Sequence, residues 1–169
     1  MMWNIREATP EDAAGLLTHT KKILETSPFM LTTPEEFQVT AERQKEWIIE
    51  QQQTGNLILV VEDNGVIVGT LNVRREKKFR HRHIASFGIS LQEAYCNQGI
   101  GTMMIHQMID WAKANDVEKI MLNVMATNER AIHVYKKLGF KEEGRFKNQL
   151  KLEDGTYVDD VAMSLFLKK

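Results

Sequence analysis

The stretch EAYCNQGIGTMMI (93–105) holds the residues whose types and spacing first suggest chemistry. Gly99 and Gly101 stand one residue apart, with strand-like sequence before them and helix-like sequence after. The first N–H groups of a helix have no partner inside it. Elsewhere in this chain Thr9 and Thr33 stand where such groups need a cap; here Asn97 is the nearest capping residue type. Glycine lets an anion come close to the backbone, and free N–H groups at the positive end of a helix dipole favour phosphate. A tight strand-to-helix turn with no ligand would also use two glycines. A dinucleotide fingerprint wants a third glycine or alanine where Met104 stands, and a Walker loop wants Gly-Lys-Ser/Thr; neither pattern is met.

These residues must be positioned by the elements around them. Trp3 to Ala8 reads as a strand, and Thr9-Pro10-Glu11-Asp12 as the start of a helix carrying Leu16, Leu17, Ile23 and Leu24. The same grammar at Thr33-Pro34-Glu35-Glu36 predicts a second helix with Phe37, Ala41, Trp47 and Ile48 on its apolar stripe, ending near Thr54-Gly55. The period then changes to two. Residues 57–61 and 66–71 form a hairpin about Asn64-Gly65, and 83–91 a third strand. One face of that strand is mostly bulky (Ala85, Phe87, Ile89, Leu91), and the other is small (Ser86, Gly88, Ser90). A helix follows from Gly99 to about Asn115, then an apolar strand at 120–125. A helix from Asn128 to Leu138 is stopped by Gly139, and two strands flank Asp154-Gly155. The order β-α-α-β-β-β-α-β-α-β-β predicts an α/β fold: a single domain over 1–169, a mixed β-sheet flanked by helices.

Composition narrows the class. The chain has 169 residues, 43% of them apolar, and a formal charge of −1, so no overall field recruits nucleic acid or an anionic membrane. The run RREKKFRHRH (74–83) holds six Lys/Arg and two His and reads as a solvated strand edge and loop. One cysteine, Cys96, excludes a disulfide framework and a cysteine metal site, which fits a reducing cytoplasm. The N-terminal residues carry no leader pattern, and no apolar run approaches the roughly 18 residues of a spanning helix.

YCNQGIGTMM after FGISL resembles motif A of the GNAT N-acetyltransferase superfamily, Arg/Gln-x-x-Gly-x-Gly/Ala. NERAIHVYKKLGF (128–140), about thirty residues later, resembles its motif B helix. The C-terminal residues are similar to the branch of ribosomal-protein and amino-acid acetyltransferases. The resemblance implies an acetyl-CoA site with no metal. The pyrophosphate would lie on the amides after Cys96, those of Asn97, Gln98, Gly99, Ile100, Gly101 and Thr102. The pantetheine arm would pair with the strand at Ile89 and Leu91 like an added strand, and Asn128 would touch the cofactor. Cys96 departs from the family's Arg or Gln; no His/Asp constellation beside it points to a nucleophile.

Direct transfer to an amine needs a base, because an alkyl ammonium has a pKa near ~10, and donors for the developing oxyanion. A proton for the leaving thiolate helps too. By resemblance Tyr135 is the acid and the N–H near Ile89 the oxyanion donor. Relatives often carry a glutamate near Ser86. Ser86 cannot act alone as a base at neutral pH, so a water chain or another group, with His83 the nearest titratable neighbour, would serve. Glu93 reads as a loop acid. The expected activity is acetyl-CoA-dependent N-acetylation of a primary amine on a small molecule or protein N-terminus. The alternative is a CoA-binding sensor that has lost catalysis. Asp159 and Asp160 could attract a cationic acceptor. A homodimer is implied by resemblance alone.

Overall fold

A computed structural model describes residues 2–167 of the chain. Among them lie seven strands and four α-helices: β1 (Trp3–Glu7), α1 (Ala13–Thr26), α2 (Ala41–Gln53), β2 (Leu57–Asp63), β3 (Val66–Arg75), β4 (Ile84–Leu91), α3 (Ile100–Ala114), β5 (Lys119–Met125), α4 (Glu129–Lys137), β6 (Lys141–Lys151) and β7 (Tyr157–Phe166). The strands form one mixed sheet, as the element order predicts, and their spatial order is β1-β2-β3-β4-β5-β7-β6. No described helix is long and apolar enough to cross a membrane.

By its contacts the chain divides into two units. The first comprises residues up to Arg74 together with Gly88–Met108. Its antiparallel ladder β1-β2-β3 turns at Asn64-Gly65, where φ is +51° and +81°, the two positive values a type I′ hairpin requires. Leu57 to Val61 are all buried, because both faces of β2 are covered. Ala13 and Leu16 of α1, Ile48 of α2, and Ile58, Val60 and Ile67 of the ladder share one apolar cluster, with Trp47 packed against it. The start of α1 is set by sequence: the Thr9 N–H donates to the Asp12 carboxylate at 2.7 Å, and Arg6 grips that carboxylate with two bonds of 2.8 Å.

The second helix departs from expectation. Pro34–Glu36 makes one 3-10 turn only, and Phe37 is extended at ψ 100°. The helix begins afresh at Ala41, with the Thr40 hydroxyl accepting the Arg43 N–H at 3.2 Å. Two Thr caps stand seven residues apart, and the second governs because Phe37-Gln38-Val39 carries no helical stripe between them.

The second unit comprises Arg75–Phe87 and the residues from Ile109 on. Its parallel ladder pairs Ile84–Ser86 of β4 with Lys119–Met121 of β5. β5 runs on to Met125, paired on its other side with β7. Asn123 of β5 is exposed and donates to Asp160 of β7 at 2.8 Å, so this strand is less uniformly covered than its apolar sequence predicts. β6 is largely exposed and rich in charge, which suits an edge strand. The segment 76–83 is a loop with a tight turn, where Arg82 and His81 N–H groups donate to the Lys78 carbonyl at 2.8 Å. Its charges therefore do not alternate along a strand.

Gly69 of β3 positions the end of β4. A Cβ there would stand 2.7 Å from Leu91 Cδ1, 3.1 Å from Val61 Cγ2 and 3.3 Å from the Ser90 carbonyl. Replacing Gly69 with alanine is expected to cost about 1–3 kcal/mol, the usual range for overpacking; urea denaturation measures it.

Candidate active site

In the first unit the end of β4 and the glycine loop are stitched together residue by residue. The Gln92 N–H donates to the Val68 carbonyl at 2.9 Å, so β3 still holds the chain one residue past β4. A short 3-10 turn, Glu93–Tyr95, follows. The Tyr95 hydroxyl donates to Asp63 at 2.6 Å, and Gln98 Nε2 donates to the Ala94 carbonyl at 2.8 Å. Cys96 Sγ lies 3.7 Å from the Leu91 carbonyl and 3.6 Å from that of Gln92, directed at backbone.

The two glycines have different reasons. Asn97 and Gly99 adopt φ of +59° and +81°, left-handed values that asparagine tolerates and glycine adopts freely. Gly99 is therefore required by the turn. Gly101 lies inside the first turn of α3 with no positive φ, and a Cβ there would meet only Ile89 Cδ1, at 4.0 Å. Neither packing nor backbone geometry asks for glycine at 101, where alanine would be the better helix former. The earliest N–H of α3 with an outside-helix backbone partner is that of Met103, which donates to Gly99 at 3.1 Å. Ile100 is fully buried, while Gln98 and Gly99 are exposed and Gly101 and Thr102 half-exposed. Exposed backbone amides at the mouth of a helix are the kind of group that can take an anion. Ile89 and Leu91 are both half-buried.

In the second unit Tyr135 lies on the buried stripe of α4, 7% exposed. Its ring meets Phe87 edge-on at 6.0 Å and Phe140 at 5.8 Å. Its carbonyl accepts the Phe140 N–H at 3.0 Å, past the left-handed Gly139 at φ +97°. Burial pushes the Tyr135 hydroxyl's pKa up to about 12. Asn128 caps α4: its Oδ1 accepts the Ala131 N–H at 3.3 Å, a role the sequence pattern left unstated. Ser86 is half-buried in the β4–β5 ladder. His83 precedes β4, and its carbonyl accepts the N–H groups of Glu118 and Lys119 at 2.8 and 3.0 Å. Its ring lines a groove with Arg75, Phe79, Arg82, Asp116 and Glu118. Asp159 is engaged within the unit by Arg145 at 3.1 Å and the Asn148 N–H at 2.8 Å, and Asp160 by Asn123.

One group escaped the sequence reading. His19 of α1 is 1% exposed. Its Nε2 lies 2.9 Å from Ser90 Oγ and its Nδ1 3.2 Å from Gln92 Nε2. The Gln92 amide also donates to the Ile67 carbonyl at 3.4 Å, so Nδ1 faces a donor and must accept. The proton therefore sits on Nε2 and is donated to Ser90. Burial, with Lys22 adding to it, pushes the His19 pKa down to about 4. The signal was present: position 19 follows Leu16 by three and precedes Ile23 by four, on the buried stripe.

A family model described as Acetyltransferase (GNAT) family matches residues 22–140. The L-amino acid N-acetyltransferase AaaT of Escherichia coli K12 is 36% identical over 105 residues, 60% of this chain. The match spans 62% of that relative's own length. A GNAT-family acetyltransferase of Streptococcus pneumoniae has a solved structure 28% identical, with a TM-score of 0.92, covering 97% of this chain and 99% of that one. The fold is also that of yncA from Salmonella typhimurium, solved with its cofactor acetyl-CoA: TM-score 0.86, 20% identity, 99% of this chain and 95% of that one covered.

A buried neutral histidine makes stability depend on pH with a definite sign. Between pH 6.5 and about 4 the unfolded chain binds the proton and the folded chain does not, so stability rises with pH through that window and is complete above 6.5. The expected loss on acidification across it is about 3 kcal/mol. Urea titrations at stepped pH measure the slope, and His19→Gln should remove this component.

Proposed function

Because this chain belongs to the acetyltransferase (GNAT) family, we propose that it is an acetyl-CoA-dependent N-acetyltransferase acting by direct transfer on a primary amine of a small molecule or protein N-terminus. The observation that carries this reading is Gly101, a glycine that the fold itself does not need, at the mouth of α3. Its bare backbone suits the close approach of a diphosphate, held by the amides of Asn97 to Thr102. Ile89 and Leu91 would pair their backbone edge with the pantetheine arm. The Nδ2 of Asn128, whose Oδ1 is spent on the cap, is the group left for cofactor. Acetyl-CoA when bound supplies an acetyl thioester open to attack by the amine.

Cys96 Sγ faces two main-chain carbonyls, which supports a staple role at the position where relatives carry Arg or Gln, and supports direct transfer over a cysteine nucleophile. With a pKa near 12, Tyr135 holds its proton at every working pH. Full transfer to a thiolate of pKa about 8.5 would be uphill by roughly 5 kcal/mol, so Tyr135 Oη serves the leaving sulfur as a hydrogen-bond donor. For the amine's proton we favour water relayed past Ser86. We also read the chain as one acetyltransferase domain, because the family match runs through both units. A cytoplasmic homodimer belongs to the same proposal; light scattering checks the dimer.

Ser86 and Cys96, both departures from the family pattern, favour one second reading: a module that binds CoA and does not turn over. Thiol-reagent detection of CoA release across a panel of amines separates the two. Turnover supports the enzyme; calorimetric binding without any turnover supports the sensor.

Two substitutions test the site. Gly101→Ala should leave the fold as stable or up to about 1 kcal/mol more stable while weakening acetyl-CoA binding at least tenfold. Unchanged binding would remove the cradle. Tyr135→Phe should lower kcat about ten- to hundredfold with cofactor affinity within threefold; an unchanged kcat would take Tyr135 out of the chemistry.

A further inference from the structure

The exit of β4 is held from three directions at once. From α1, His19 bonds Ser90 Oγ and the Gln92 side chain. From β3, the carbonyls of Val68 and Ile67 take the Gln92 backbone and side-chain N–H groups. From the loop, Cys96 Sγ meets the carbonyls of Leu91 and Gln92. All of these contacts fall on residues 90–92, where the strand ends and the path to the glycine cradle begins. A folded core does not need such a device, because a satisfied buried polar cluster adds little net stability over an apolar one of the same shape. Its distinctive effect is geometric: paired polar groups accept one arrangement, where apolar packing tolerates several.

We propose that His19 is a positioning residue for the acetyl-CoA strand: its neutral ring clamps Ser90 and Gln92, and so holds the backbone edge of Ile89 and Leu91 in the one register that receives the cofactor. The inference rests on the reading of that edge as the pantetheine site. His19 touches no reacting atom; it acts through the strand. Its effect therefore falls on cofactor affinity and spares the rate at saturation.

The test compares three full-length variants with wild-type protein, well below their melting temperatures. His19→Phe keeps the bulk and removes both bonds. His19→Gln keeps a donor that reaches Ser90. Leu16→Ala, on the same helix and equally buried, is the control for destabilisation alone. Expected results are a tenfold weaker Kd for acetyl-CoA in His19→Phe with kcat within threefold, partial recovery in His19→Gln, and wild-type Kd in Leu16→Ala. Hydrogen exchange should quicken over 89–99 in His19→Phe and not in Leu16→Ala. A Kd within twofold of wild type in His19→Phe overturns the proposal, as does equal weakening in Leu16→Ala. Should His19→Phe fail to fold, Ser90→Ala breaks the same link: a Kd at least threefold weaker upholds the clamp, and an unchanged one overturns it. Failure of the functional reading shows separately, as wild-type protein that binds no acetyl-CoA. The clamp is then judged on exchange alone, upheld by quickening confined to 89–99 and overturned by its absence.

Discussion

The last residues of β4 lie against β3 because Gly69 has no side chain. The space a methyl group would take is filled by Leu91 and the Ser90 carbonyl. This close approach lets the Gln92 N–H reach Val68 and puts Ser90 and Gln92 where a helix histidine can bond both. The path of the chain into the glycine loop depends on it. A methyl group at 69 would push on Leu91, the residue next to the His19 partners and the Cys96 contact.

The loop beyond shows how one short motif serves two masters. Gly99 answers to backbone geometry, since its positive φ would strain any residue with a Cβ. Gly101 answers to neither geometry nor packing, since a Cβ there would meet only Ile89 Cδ1, at 4.0 Å. Tyr135 has a comparable double character. Its ring is a core residue held between Phe87 and Phe140, while its hydroxyl keeps a proton that burial makes hard to lose. Burial raises its pKa, which makes it a steady donor and a poor source of a free proton.

Much of this was legible in the chain itself. Turn chemistry marked Asn64-Gly65, Gly139 and Asp154-Gly155, because those conformations exclude most other residues. Hydrophobic period separated strands from helices, and the two ordered motifs identified the family. The second helix was misread at its start because a proline-led cap looks the same whether one turn or four follow it. The basic run 74–83 divides as a strand edge and loop, with Arg74 and Arg75 ending β3 and the rest forming a loop whose Phe79, Arg82 and His83 line a groove. Asp159 and Asp160 looked available for a cationic acceptor until their partners Arg145, Asn148 and Asn123 came beside them from other strands.

By itself the sequence determined the order of elements and the family, because these rest on local rules: capping, period, and the freedom of glycine. Only the tertiary structure decided which glycine the turn requires and which neither turn nor packing requires. It alone set the tyrosine's pKa, the backbone engagement of Cys96, and the pairing of His19 with residues 71 and 73 positions away. Burial, pKa and long-range hydrogen bonds are properties of neighbours brought together by folding, and a linear pattern carries no record of which neighbours those will be.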